Sequence, residues 1–389
     1  MLNKTGPLAA MNLSVRINSI DAMRGLVMLI MLLDHVRERV FYHHQISDPM
    51  DVETTSPVLF FSRLLAHLCA PTFVFLTGLS AWLYQHKNDG SQRPVREFLI
   101  TRGLILIALE FTLVTFSWMG SYHTIWLQVI WAIGVSMVVL GLIAHWHKYV
   151  LLALGLLIVC GHNALGPIQF SPGEWGYSLW TILHDRNFLI AEGPVRLKAS
   201  YPVLPWIGVI ILGYLAGPLY AHIFSSSQRA TKLIGLGSVC LAAFMLLRVT
   251  NSYGETLPWQ VMQNPLQTVM SFLNLTKYPP SLDFLLLTLG VMFFLLCWLE
   301  AGRMKKISNL LAHYGAAPMF FYLLHLYVLL VIYEVCVLLC GKNHGDYFGV
   351  AHMGWVWLIA AVLAVLLYWP TKQFALFKRK SSWRWVKYF

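Results

Sequence analysis

Four residues in the first quarter of the chain have the types and spacing that chemistry needs: Asp34, His35, Arg63 and His67. Asp34 and His35 are neighbours inside RINSIDAMRGLVMLIMLLDHVRERV. Arg63 and His67 lie four apart inside FSRLLAHLCAPTFVFLTGLSAWLY, a spacing that puts both on one helix face. A histidine, with an ordinary pKa of about 6.5, can take a proton from an amine or hydroxyl as that group attacks a thioester. A carboxylate can orient the ring and stabilise its cation, and an arginine can hold an oxyanion or a polar ligand. The set therefore suits acyl transfer. It equally suits an interhelical clamp in which Asp34 pairs with Arg63 and the histidines bond to backbone. A metal centre built from His35, His67, His43 and His44 is a third reading, but no HExxH-like spacing supports it, and no metal is expected.

The segments that must position these residues are apolar. The 389 residues are 58% hydrophobic, 14% aromatic and only 12% charged, with a mean hydropathy of +0.62. A soluble chain carries about 25% charged residues. The composition predicts an all-α, polytopic integral membrane helical bundle, one domain over residues 1–389. With about 20 apolar residues as the length of a span, ten fall near 20–42, 58–84, 97–118, 124–145, 148–165, 203–222, 231–250, 281–300, 316–339 and 353–376. The fifth is interrupted by GHNALGP. An ionisable group in hydrocarbon costs roughly 2.5–3.5 kcal/mol on insertion scales, so each one inside a span is a functional hypothesis.

The net charge of +11 follows topology rather than nucleic acid. Lys4 and Arg16 precede the first span. Lys87, Arg93, Arg96 and Arg102 follow the second, Lys148 the fourth, Arg229 and Lys232 the sixth, and Arg303, Lys305 and Lys306 the eighth. The alternate loops carry fewer cations, and the first of them, SDPMDVE, is acidic. The positive-inside rule then puts both termini in the cytoplasm, with residues 1–19 as a cytoplasmic lead and 377–389 as a basic, aromatic tail on the inner surface. Residues 1–15 lack the features of a removable signal peptide. The six cysteines show no CxxC pair and read as packing residues.

Depth counting at 1.5 Å per residue puts His35 roughly 22 Å into the first span, about 10 Å below the outer surface. His67 lies about 13 Å down from that surface, so the two histidines are expected to face each other. Glu110 and His325 sit mid-span, Asp21 and Arg24 form an i, i+3 pair, and Arg102 reaches for phosphate or snorkels. Pro71 should kink the second helix. Gly78 and the Gly208, Gly213, Gly217 series read as close helix contacts. Two long outer loops, 166–202 and 251–280, are candidates to line a mouth for a polar substrate.

IDAMRGLVMLIMLLDH followed by HLCAPTFVFLTGLS resembles bacterial membrane proteins related to the heparan-α-glucosaminide N-acetyltransferase catalytic domain. YPVLPWIGVIILGYLAG, TKYPPSLDFLLLTLG and FFYLLHLYVLL look like later landmarks of the same group, so the likeness runs from Arg16 to about Pro370. The resemblance implies a bacterial inner-membrane enzyme that moves an acetyl group from cytoplasmic acetyl-CoA to an amino sugar or other glycan acceptor outside. On that analogy His35 is general base or transient acyl carrier, Asp34 orients it, and Arg63 and His67 complete the site. Asp21, Arg24, Arg102 and His325 are the donor-binding candidates. Beyond the acceptor and membrane lipids, the one further partner considered is a second copy of the chain as a homodimer. The alternative function is a transporter or lipid flippase without covalent chemistry, in which the same charges line a path.

Overall fold

A computed structural model describes residues 18–86, 90–221, 224–301, 304–383 and 385–386. The topology signals at Lys4, Arg16, Lys87, Arg303, Arg384 and Lys387, and most of the 1–19 lead, lie outside the described residues. The chain opens with α1 (Asn18–Val40), α2 (Pro57–Ala66) and α3 (Cys69–Gln85). Next, α4 (Val95–Leu109) runs through a π-helical turn at Glu110–Val114 into α5 (Thr115–Met119). The strand β1 (Thr124–Leu127), α6 (Val129–Ile143), α7 (Lys148–Gly161) and the short α8 (Tyr177–Leu183) follow. Strands β2 (Phe188–Ile190) and β3 (Arg196–Ala199) lead into α9 (Leu204–Ala216), α10 (Ser226–Thr250) and α11 (Pro265–Leu273). The chain closes with α12 (Leu282–Glu300), α13 (Lys305–Tyr314), α14 (Pro318–Cys340) and α15 (Met353–Lys380).

Among the described residues seven helical segments are long and apolar enough to cross a membrane: 57–85, 95–118, 148–165, 226–250, 282–300, 318–340 and 353–380. α6 and α9 are apolar but shorter. The protein is thus a mostly helical, multi-pass membrane protein. α1 falls outside the seven, and its composition explains why: it carries Asp21, Arg24, Asp34, Arg37, Glu38 and Arg39 in 23 residues. Those charges are tolerated because α1 is the hub of the bundle. It packs on α2, α3, α12, α13, α14 and α15, and most of its residues are buried. Side chains sheathed by protein find partners that lipid does not offer. α10, in contrast, shows mostly exposed Ile, Leu and Val, such as Val239 and Leu246, as a lipid-facing helix does.

Close approach of these helices rests on glycine. A Cβ at Gly25 of α1 would fall 1.8 Å from the carbonyl oxygen of Leu311 in α13, and one at Gly213 of α9 would fall 2.1 Å from that of Phe75 in α3. Gly78 meets Ile210 in the same crossing, and Gly217 meets Trp82, so the small-residue series expected of α9 is a packing seam.

Two features depart from the sequence reading, the first from its all-α class and the second from its loop assignment. A three-stranded sheet, ordered β1-β3-β2, caps one end of the bundle. β1 runs parallel to β3 from Thr124↔Arg196 to Leu127↔Ala199, and β2 pairs antiparallel with β3. The segment TIWL is apolar and merges in sequence with the helix after it, so the span expected from residue 124 begins at Val129 instead. The second departure is α13, expected as part of a basic loop. It folds as an amphipathic helix whose buried side holds Ser308, Leu311 and Tyr314.

Candidate active site

The last two turns of α1 carry Asp34, His35, Arg37 and Arg39 to the sheet-capped end of the bundle. Asp34 Oδ2 accepts from Arg63 at 2.8 Å, and Oδ1 accepts from Arg37 Nε at 2.9 Å. Arg37 also donates to Glu38 at 3.0 Å. All three members of the Arg37–Asp34–Arg63 bridge are buried. The clamp between α1 and α2 is therefore real. It engages both oxygens of Asp34, and this is a correction to the role expected for that residue: Asp34 holds arginines rather than orienting the ring of His35.

His35 is oriented by another histidine. Its Nδ1 lies 2.7 Å from Nε2 of His325 in α14, and Nδ1 of His325 lies 2.8 Å from the carbonyl oxygen of Phe321. The protons follow by elimination. A carbonyl only accepts, so His325 Nδ1 carries hydrogen. In the neutral ring its Nε2 is then a lone pair, which receives the N–H of His35 Nδ1. Nε2 of His35 is left unprotonated, as a base. The ring centroids are 5.0 Å apart with a 17° tilt, the geometry of two nearly coplanar rings joined edge to edge by that bond. Trp118 meets His35 edge-on at 5.0 Å and Tyr322 at 5.9 Å. Arg39 fixes this wall by donating to the carbonyls of Ser117 and Trp118.

His67 does not complete that pair, contrary to the facing arrangement expected. It sits where α2 ends and α3 has yet to begin, buried beside Phe284 at 5.1 Å. Pro71 accounts for the break. A proline has no N–H to give the carbonyl four residues back, which is that of His67, and its ring crowds it. Arg63 and His67 thus belong to a broken helix, with Arg63 on Asp34 and Nδ1 of His67 without a hydrogen-bond partner among the described residues. The histidines of the metal reading are drawn to different partners: His35 pairs with His325, while His43 stacks on His344 at 3.7 Å. Among the described residues no group of three or more His, Cys, Asp or Glu is placed to hold an ion.

Other residues at this end were not singled out in the sequence. Lys277, in the TKYPPS segment, is 4% exposed. It is strapped in place by its main-chain N–H, which donates to the carboxylate of Asp48 at 3.2 Å. Asn274 grips Met50 through both its amide oxygen and its amide nitrogen. The loop after α1 is thereby stitched to the segment before α12. Burial pushes the Asp48 carboxyl above its ordinary range, opposed by Arg63 and Lys277. Tyr278 and Tyr201 join hydroxyls at 3.0 Å. Arg186 lies over the Tyr278 ring at 4.5 Å, and Lys198 lies over Trp126 and Phe188. The mouth is therefore aromatic and cationic. The spacing Asp34–Arg37 (i, i+3) was a usable signal for the second arginine. Lys277 lies in the TKYPPSLDFLLLTLG landmark, but its residue type and spacing alone do not distinguish it from a loop lysine.

At the opposite end of α1, Asp21 accepts from Arg24 at 3.1 Å, and Arg24 also donates to Ser80 and the carbonyl of Leu76. Arg102 lies in α4 with its guanidinium 6.0 Å from the Phe98 ring and within electrostatic reach of Arg24. His325 is far from these three. Two cavities open at that end: one of about 240 Å³ bounded by Asn18, Asp21, His313, Lys372 and Arg379, and one of about 400 Å³ bounded by Ser19, Arg229, Glu300 and Lys305. They lie roughly 25 Å of helix from His35. Glu110 lies toward the histidine end, in the π-helical turn that packs on β1 and α14. Its carboxylate caps the start of α6 by accepting the N–H of Trp131 at 2.9 Å, a structural role.

A mostly helical membrane bundle, with a histidine pair and a buried carboxylate–arginine bridge at one end and basic cavities at the other, is the frame of a transmembrane transferase. The family described as heparan-alpha-glucosaminide N-acetyltransferase, catalytic, matches residues 16–259. The chain belongs to that family, a transmembrane acetyltransferase family. The matched residues include Asp34, His35, Arg63 and His67; Lys277 and His325 lie beyond them. No curated protein matches the chain.

Proposed function

We propose that this protein transfers an acetyl group from cytoplasmic acetyl-CoA to an amino sugar, or another glycan amine or hydroxyl, on the outer side of a bacterial inner membrane. The observation that carries the reading is the His35–His325 relay. It leaves Nε2 of His35 unprotonated, and a proton taken there is shared over two rings. As the acceptor nitrogen attacks the acetyl carbon, His35 Nε2 takes its proton, and the same proton leaves with the CoA sulfur. His325 holds the tautomer, the part a carboxylate plays in the familiar triad. The Arg37–Asp34–Arg63 bridge fixes α1 against α2 and keeps the base in place. Asp21, Arg24 and Arg102 are the donor-side residues, where the phosphates of CoA would meet cations.

Adding α1, α6 and α9 to the seven long segments gives ten passes, which leaves both termini on the cytoplasmic side as one domain in contact with membrane lipids. Purified protein incubated with acetyl-CoA and glucosamine should release CoA and form the N-acetyl product. It should also be thermally stabilised by acetyl-CoA, by about 2.7 kcal/mol at a hundred times Kd. A flippase shows neither. Absence of both effects across amino-sugar and glycan acceptors overturns the reading.

A further inference from the structure

Three of the cations around the histidine pair are already committed. Arg37 and Arg63 both donate to Asp34, and Arg39 donates to the carbonyls of Ser117 and Trp118. Lys277 is different. The residue is 4% exposed, about as buried as Arg37 and Arg63, but among the described residues its ammonium has no hydrogen-bond acceptor and no ion-pair partner. It lies 5.2 Å from the centre of the Tyr278 ring. The carboxylate beside it, Asp48, accepts from its main-chain N–H instead. The charge of Lys277 acts on Asp34, His35, His67 and Cys69, so it belongs to the same charged neighbourhood as the base. A largely buried charge without a partner costs free energy. A lysine kept in that state, and pinned at its backbone, is placed for an anion that arrives only with the reaction.

We propose that the Lys277 ammonium holds the oxyanion of the acyl-transfer step, and is a catalytic residue. This rests on the acetyl-transfer reading above. The acceptor nitrogen bonds to the acetyl carbonyl carbon while its proton passes to His35 Nε2. The carbonyl π pair moves onto oxygen, and the ammonium compensates that charge. Collapse restores the C=O bond, breaks the C–S bond, and releases CoA as the thiol once sulfur takes the proton from His35. Arg63 is unsuited to this task because Asp34 already accepts from it.

The test uses full-length protein in lipid nanodiscs with acetyl-CoA and glucosamine. K277M should lower kcat about 100-fold with the acceptor KM changed less than threefold. K277R, which keeps the charge, should recover part of the loss. K277A should regain at least tenfold activity on addition of ethylammonium, a rescue that a packing role does not give. Thermal stabilisation by methylphosphonate, a tetrahedral anion, should be present in the native protein and absent in K277Q. Unchanged kcat in K277M, or a loss carried wholly by acceptor KM, overturns the proposal. If K277M does not fold, failure of ethylammonium rescue in K277A overturns it. If the native protein turns over nothing, the acetyl-transfer reading fails, and methylphosphonate stabilisation independent of Lys277 then removes the anion site as well.

Discussion

His35 and Asp34 are adjacent in sequence and separate in role. One aims at a histidine 290 residues away, the other at arginines on its own helix and the next. Substitution should separate them. H35A removes a base that nothing else supplies and should lower turnover by about 10²–10⁴-fold with little change in thermal stability. D34N leaves two buried guanidinium groups facing a neutral amide and should lower stability by about 3–5 kcal/mol, read as an earlier melting transition in the same detergent. Equal loss of stability in both variants would show that the histidine pair is also a clamp. H325F should reduce kcat by about the same factor as H35A, whereas H325Q, which retains an acceptor, should keep part of it. The Asp34–Arg63 pairing was legible from helical counting, since both residues sit within one pair of neighbouring segments. The His35–His325 pair was not. Periodicity describes one segment at a time, and nothing in MFFYLLHLYVLL states which helix its histidine will meet.

At the scale of elements, the long apolar helices were legible because length and hydropathy decide them, and the break in the second span was legible in Pro71. The strand TIWL and the helix α13 were not. A four-residue apolar run beside a helix looks like the start of that helix, and a short basic stretch looks like a loop until its buried face is seen against α1. The packing seams carry their own expectations. G213V should abolish a monodisperse folded protein in size-exclusion chromatography, because the new side chain meets the carbonyl of Phe75. G235A in α10, where an added Cβ meets no described neighbour within 4 Å, should leave the elution profile unchanged. E110A removes the cap from α6 and should cost about 1–2 kcal/mol; an unchanged melting temperature would make Glu110 something other than a cap.

For the whole molecule the two ends differ: one is stitched, aromatic and lined with hydrogen-bonded polar groups, the other basic and cavity-bearing. Orientation is therefore measurable with exposed positions at each. In a cysteine-free background, S171C should react with a membrane-impermeant maleimide on intact cells, and K305C should react only after permeabilisation. The reverse pattern would invert the donor and acceptor sides. The wide separation of the histidine pair along the chain also has a consequence in time. At about 5–20 residues per second of synthesis, Arg63 follows Asp34 off the ribosome within seconds, so the first hairpin can lock its charges almost as it forms. His325 emerges roughly 15–60 seconds after His35. Throughout that interval the nascent protein holds its base in an unfinished membrane assembly with no ring to direct it. On the proposed mechanism the tautomer of His35 is set only when α14 inserts, which delays activity until biogenesis is nearly complete.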